Sequence, residues 1–293
     1  MSAACRARDE GGQALMASAA STPIITFLSD YGLQDEFVGV CHGVIARRCP
    51  AARVIDLTHG IPPYDVRAGA LALAAALPYT PAGVHLAVVD PQVGAEGPRA
   101  RRAVALRAVA PERLLVGPDN GLLMPAAERL GGVLQAVEIS DSRERAASPS
   151  RTFAGRDVFA PVAAALAAGE PLAALGSELA VGELRALRLP VARLHEGALI
   201  AHVLHRDRFG NVILDATPEQ LAQAGGRAGV ALEVQHGGRV HRARWAGAFA
   251  EVPASELLIY VDAQRMVALA VNQGSAAQRL EAVRDDELVV RPA

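Results

Sequence analysis

The chain has 293 residues, 51% of them hydrophobic, with a formal net charge of -2 at pH 7. This is enough apolar material for one large or two ordinary domains, and it excludes disordered, collagen-like and coiled-coil chains. All 29 basic residues are arginine, which removes P-loop, pyridoxal-phosphate and protein-kinase chemistry, because each needs a lysine on its phosphate or cofactor.

In chain order, residues 1–22 mix Arg6, Arg8, Asp9 and Glu10 with Gly and Ala and contain no signal-peptide core. They read as a disordered tail, and Met16 is an alternative start. Ile24–Leu28 reads as a strand, Glu36–Ala46 as a helix and Val54–Leu57 as a second strand. Asp65–Leu77 is an Ala/Leu helix stopped by Pro78, and Val84–Val89 is a third strand ending in Asp90-Pro91. Ala103–Val109 and Leu114–Val116 read as strands, Leu122–Leu130 and Val158–Ala168 as helices, the last with Pro161 in its first turn, where proline is tolerated. Strands alternating with helices predict an α/β unit over 23–190 with a largely parallel sheet. After Leu189 the pattern becomes short alternating runs between Gly, Asp and Pro turns: Ala198–Leu204, Val212–Leu214, Val230–Val234, Val240–Trp245, Leu257–Val261 and Val267–Val271. These predict a smaller all-β, barrel-like unit over 196–293.

Ligands of open α/β sheets bind outside the carboxyl ends of the strands. Three such ends carry polar groups here: Ser29-Asp30, Asp56-Leu57-Thr58-His59 and Asp90. Asp after a strand also serves as a turn former or helix cap, so each has a purely structural reading. Neither a GxGxxG after the first strand nor a GxSxG elbow is present. The eight histidines are scattered; His202 and His205 lie three apart in a strand-to-turn segment and form no HExxH pair, so structural roles are expected for them. Cys5, Cys41 and Cys49 are odd in number and contain no CxxC pair, so no disulfide framework and no metal site is expected. The near-balanced charge gives no reason to expect nucleic acid, and the longest apolar runs are about half a membrane span. A soluble cytoplasmic protein is the expectation.

Seven strings occur in order: FLSDYGLQDEFVGVCHGVI, IDLTHGIPPYDVRAGA, LAVVDPQVG followed by Arg101-Arg102, VGPDNGLL, TFAGRDVFAPVAA, RDRFGNVILDA and ALAVNQGSAA. Together they resemble the S-adenosyl-methionine (SAM) hydrolase family, the SAM hydroxide adenosyltransferases, relatives of the fluorinases and chlorinases. The resemblance runs from Ile24 to Val290. It implies an amino-terminal α/β domain, a carboxyl-terminal β-barrel, and homotrimers with SAM held between neighbouring subunits. The implied reaction takes SAM and water to adenosine and L-methionine by attack at the ribose C5′ carbon. A neutral thioether leaving a sulfonium needs no metal and no acid, so no cofactor is expected; the protein must orient water and exclude solvent.

By the same resemblance, Asp30 corresponds to the ribose-diol ligand, Asp35 to the partner of the methionine ammonium group, and Tyr64 to an aromatic wall for the adenosine. Phe209 and Asn211 correspond to the adenine site. Asp90 holds the catalytic Asp position, with Arg101 or Arg102 as its arginine. The family histidine of TFHGRD is replaced by Ala154, and the carboxylate-gripping positions read Ala263 and Gln264, which leaves Arg265 or another group to take over. Halogenating relatives carry a tyrosine where Asp90 stands, and a carboxylate repels an incoming halide. The alternative to an enzyme is a SAM- or adenosine-binding protein without turnover, suggested by Ala154 and the altered carboxylate site.

Overall fold

The computed structural model describes residues 22–97 and 100–293. The expected tail, with Cys5 and Met16, lies outside the described residues except for Thr22. The first unit is a seven-stranded sheet in the order β2-β1-β3-β5-β4-β6-β7. Its strands are β1 Ile24–Ser29, β2 Arg53–Thr58, β3 Gly83–Val88, β4 Ala103–Ala108, β5 Arg113–Pro118, β6 Val133–Glu138 and β7 Ser177–Leu179. The run β2-β1-β3-β5 is parallel, and β4, β6 and β7 continue it antiparallel.

Helices cover both faces, which is why the parallel strands are nearly continuous apolar runs. Successive residues of β1 serve opposite cores. Phe27 joins Val38, Cys41 and Ile45 of α1 (Phe37–Arg48) and Phe159, which precedes α4 (Ala160–Ala167). Leu28 joins Ala70 and Leu73 of α2 (Val66–Ala76) and Leu122, which precedes α3 (Met124–Arg129). Asp65 caps α2 by accepting the Ala68 N–H at 3.0 Å. Pro161 lies in the first turn of α4, as the sequence predicts, but a π-helical turn over Gly155–Phe159 precedes it.

The second unit is a closed seven-stranded barrel. Its strands are β8 Arg193–His195, β9 Ala198–Arg206, β10 Val212–Leu214, β11 Ala231–His236, β12 Arg239–Trp245, β13 Leu257–Val261, β14 Val267–Val271 and β15 Glu287–Pro292. The order is β10-β14-β13-β12-β11-β15-β9, and β9 pairs back onto β10, while β8 extends β9 outside the ring. Closure removes the sheet edges. Two ion pairs join the units: Arg67 to Asp285 at 2.5 Å, and Arg284 to Asp65.

β6, β7, β8, β15, α5 (Pro218–Gln223) and α6 (Ala276–Leu280) are additions to the sequence reading. The two helices are too short for a 3.6-residue period to show, and Leu134, exposed on β6, breaks the alternation that marks a strand. The short helices are specified by caps instead. Thr217 and Gln220 form a capping box, and Ser275 accepts the Gln278 N–H.

Candidate active site

All four parallel strands deliver polar groups at their carboxyl ends: Asp30 after β1, His59 after β2, Asp90 after β3, and Asp119 and Asn120 after β5. Asp90 is largely enclosed, its side chain 5% exposed. Its Oδ2 accepts from Arg101 Nε at 2.8 Å and Nη2 at 2.5 Å, and its Oδ1 accepts the Gln92 N–H at 3.2 Å. The Arg101 guanidinium is stacked over the Phe159 ring, 5.3 Å from its centroid, so its position is fixed by packing as well as charge. Arg102 turns away. Its Nε and Nη2 donate to Asp119 Oδ2 at 2.9 and 2.7 Å, and it also reaches Glu183. Only Arg101 of the two touches Asp90.

Asp30 accepts the Tyr64 N–H at 2.8 Å. Tyr64 has φ 68°, an unusual conformation for an aromatic residue that here turns its amide onto the carboxylate. Burial pushes the Asp30 pKa above the ordinary carboxylate value; the bonds from backbone N–H groups oppose this, and the charge of Asp90 adds to it. Asp35 is exposed in the loop before α1, with no hydrogen bond or ion pair among the described residues. The Tyr64 ring is 71% exposed.

The TFAGRD string folds over the same end of the sheet. Phe153 packs edge-on to Tyr31 and Phe37, with ring centroids 5.9 and 5.1 Å away. Ala154 lies partly buried beside this cluster. Any Cβ at Gly155 would overlap the Tyr31 hydroxyl, so glycine is required there. Burial raises the Tyr31 pKa well above 10, so its phenol stays protonated.

The barrel carries the remaining candidates. Phe209 is 75% exposed, and Asn211 is buried. Asp207, which sequence reasoning passed over, organises this loop: Oδ1 accepts the N–H groups of Phe209 and Asn211, each at 2.9 Å, and Oδ2 accepts Asn211 Nδ2 at 2.7 Å. The signal was the spacing of Asp207 two and four residues ahead, an Asx turn. Gly210, at φ 84° against Ser275, completes it. Arg265 is exposed in the β13–β14 turn at φ 65°, where its charge lowers the Glu219 pKa after the larger hydrogen-bonding effects. Among the described residues no hydrogen bond or ion pair joins Phe209, Asn211 or Arg265 to Asp30, Asp35 or Asp90.

Asp119, Asn120 and Arg185 also went unread, although VGPDNGLL was singled out as a string. Asn120 Nδ2 donates to the Val89 carbonyl at 2.8 Å, tying the end of β5 to the residue before Asp90. Asp119 Oδ1 accepts the Arg185 N–H at 2.8 Å, and the Arg185 guanidinium reaches Gln92 Oε1 at 3.2 Å. A cleft of about 490 Å³ follows, lined by Val66, Pro91, Gln92, Asn120, Arg185 and Arg188 among others. Cys41 and Cys49 are buried free thiols.

The fold and site define a two-unit protein with acidic groups along the carboxyl edge of a parallel sheet and an aromatic-tipped barrel loop. Family models described as the SAM hydroxide adenosyltransferase N-terminal and C-terminal domains match residues 25–176 and 201–289. A protein named (R)-S-adenosyl-L-methionine hydrolase from Salinispora arenicola is 50% identical over 92% of this chain and 98% of its own. One of the same name from Thermus thermophilus is 42% identical over 87% and 94%. A crystal structure of a protein from Thermotoga maritima superposes with a TM-score of 0.84 at 34% identity, covering 91% of this chain and 99% of that one. A fluorinase from an Actinoplanes species is more distant, 28% identical over 69% of this chain. The chain belongs to the SAM hydroxide adenosyltransferase family.

Proposed function

We propose that this chain hydrolyses S-adenosyl-L-methionine to adenosine and L-methionine, with the (R)-sulfonium epimer named for its relatives as the substrate form. The observation that carries this reading is the Asp90–Arg101 pair, its side chains 5% and 12% exposed. Both arginine nitrogens fall on Oδ2, which leaves Oδ1 with one backbone donor and a free lone pair. That lone pair orients a water for in-line attack on C5′. The new C–O bond forms as the C5′–S bond breaks, its electron pair goes to sulfur, and the water's proton passes by way of Asp90 to solvent. Asp30 receives the ribose hydroxyls, Asp35 the ammonium group, and Tyr64 lies against the adenosine. The step needs neither a metal nor a cofactor.

The adenine base falls to Phe209 and Asn211 of a neighbouring subunit in a homotrimer, with Arg265 as the candidate for the methionine carboxylate. Two observations support sharing: Tyr64 and Phe209 are 71% and 75% exposed in the single chain, and large exposed aromatics mark contact surfaces. The deciding experiment gives purified protein each sulfonium epimer separately and follows adenosine and methionine by chromatography. Stoichiometric release of both from the (R) epimer is expected. Binding without release would establish instead the non-catalytic reading that Ala154 raises. Sedimentation of the active species decides the trimer, and a fully active monomer refutes a shared site.

A further inference from the structure

We propose that His42, Asp56 and His59 form a binding site for a divalent transition metal of the Zn²⁺ class, on the far side of β1 from Asp90. The donors come from three places that the β1–β2 register and the packing of α1 bring together: the helix, the middle of β2 and its carboxyl end. His42 Nε2 is 2.9 Å and His59 Nε2 is 3.0 Å from the same Asp56 Oδ1. One donor atom from each residue lies within 4.8 Å of the other two.

His59 makes the cluster more than a hydrogen-bonded pair. Its side chain is 2% exposed, yet Nε2 has no hydrogen bond, because its approach to Asp56 has ion-pair distance without hydrogen-bond alignment. A buried polar atom in that state calls for a partner. The other ring nitrogen, Nδ1, lies 2.8 Å from Ser29 Oγ. With Nδ1–H donating to Ser29, Nε2 turns its lone pair toward the carboxylate oxygen, an opposition that a cation relieves. A histidine ligand held through its second nitrogen is the usual outer-shell arrangement of metal sites.

The donor chemistry selects the ion. Two imidazoles and one carboxylate suit Zn²⁺ and its neighbours, whereas Mg²⁺ and Ca²⁺ take oxygen sets. Tetrahedral bonds of 2.0–2.2 Å put donor atoms about 3.3 Å apart, near the 2.9 and 3.0 Å that separate Asp56 Oδ1 from the two ring nitrogens, and all three donor atoms already lie within 4.8 Å of one another. His42 and Asp56 are partly exposed, which leaves the fourth position to water. The Phe27 ring, 4.7 Å from that of His59, walls the inner side. The site also has mechanical reach: the Gly32 N–H donates to the His59 carbonyl at 2.8 Å, and Ser29 Oγ accepts the Tyr31 N–H at 3.2 Å. A metal fixing His59 therefore stiffens the turn that carries Asp30. Residues 42, 56 and 59 are spread over a helix and a strand with no ligand spacing, so the sequence shows no such site.

The test uses untagged, chelator-stripped protein, titrated with Zn²⁺ by calorimetry and with Co²⁺ by visible absorption. The parent binds one ion per chain, Mg²⁺ in excess leaves it bound, and Zn²⁺ raises the melting temperature. His42→Gln and Asp56→Asn, both at partly exposed positions, each weaken Zn²⁺ binding by about tenfold or more and remove the thermal shift, while their metal-free melting shows that they fold. No binding by the parent, displacement by Mg²⁺, or unchanged Zn²⁺ affinity in both folded variants overturns the proposal.

Discussion

Arg101 places Nε and Nη2 on a single oxygen of Asp90, at 2.8 and 2.5 Å, while the other oxygen keeps only the Gln92 N–H at 3.2 Å. Asp90 thus does two things at once: it caps the turn into Pro91 and presents a held carboxylate edge at the end of β3. The structural and catalytic readings of this residue are compatible, and they separate by experiment.

Asp90→Asn keeps the shape and removes the charge, and its single oxygen serves either Arg101 or the Gln92 N–H. Turnover is expected to fall by about 10²–10⁴-fold, the range of general-base and positioning effects, with substrate binding retained. Single-turnover rate and melting temperature measured on one sample decide the matter. A lower melting temperature with an unchanged rate leaves Asp90 as a cap only.

Neighbouring arginines should behave differently. Arg101→Gln is expected to depress turnover along with stability, because it strips the partner from the buried Asp90. Arg102→Gln strips Asp119, whose side chain is 3% exposed; orphaning a buried charge costs about 3–5 kcal/mol. It should melt several degrees lower yet keep its rate per folded molecule. Equal rate losses in the two variants would contradict the assignment of Arg101.

Asp30 is ionised against the cost of its own burial, and Asp90 repels it. Asp30→Asn retains an acceptor for the Tyr64 N–H and removes that cost, so melting temperature at neutral pH should rise while substrate affinity falls. This is the trade of stability for function common at binding sites. Differential scanning calorimetry with a binding isotherm checks it; a variant that binds as well as the parent removes Asp30 from the ribose site.

His85 sets a pH limit. It is fully buried; Arg113 can only donate to its Nε2, at 3.2 Å, so Nδ1–H points to Thr26 Oγ1 at 2.9 Å and the ring is neutral. Burial, then the charge of Arg113, pushes its pKa down to about 3. Unfolding releases a histidine that titrates near 6.5, so the unfolded state binds the extra proton between those values. Stability is complete above about pH 6.5 and falls as pH drops, by up to about 1.4 kcal/mol per pH unit from this group. His205 and His241, also lowered chiefly by burial, add to the slope. Asp65 and Asp157, which burial would raise but arginine partners and backbone N–H groups together hold below the ordinary carboxylate value, act only at lower pH. Urea melts of His85→Gln between pH 4 and 6 should give a flatter curve than the parent; parallel curves would refute the account.

Much of this protein is written locally. Ile24–Leu28 and Val84–Val89 announce buried parallel strands because strands covered on both faces are mostly apolar, with Thr26 and His85 admitted as a hydrogen-bonded pair, and Ser29-Asp30 and Asp90 announce the site because they stand where those apolar runs end. The ordered strings from FLSDYG to VNQGSAA place the chain in its family before any contact is known. Closure of the barrel through β9 and β10, the choice of Arg101 over its neighbour, and the meeting of His42, Asp56 and His59 are tertiary decisions. Each depends on strand register and on how a helix seats against a sheet, quantities that arise between distant segments. Two adjacent arginines look identical in a sequence. They become different residues only when the fold supplies Asp90 and Phe159 to one, and Asp119 and Glu183 to the other.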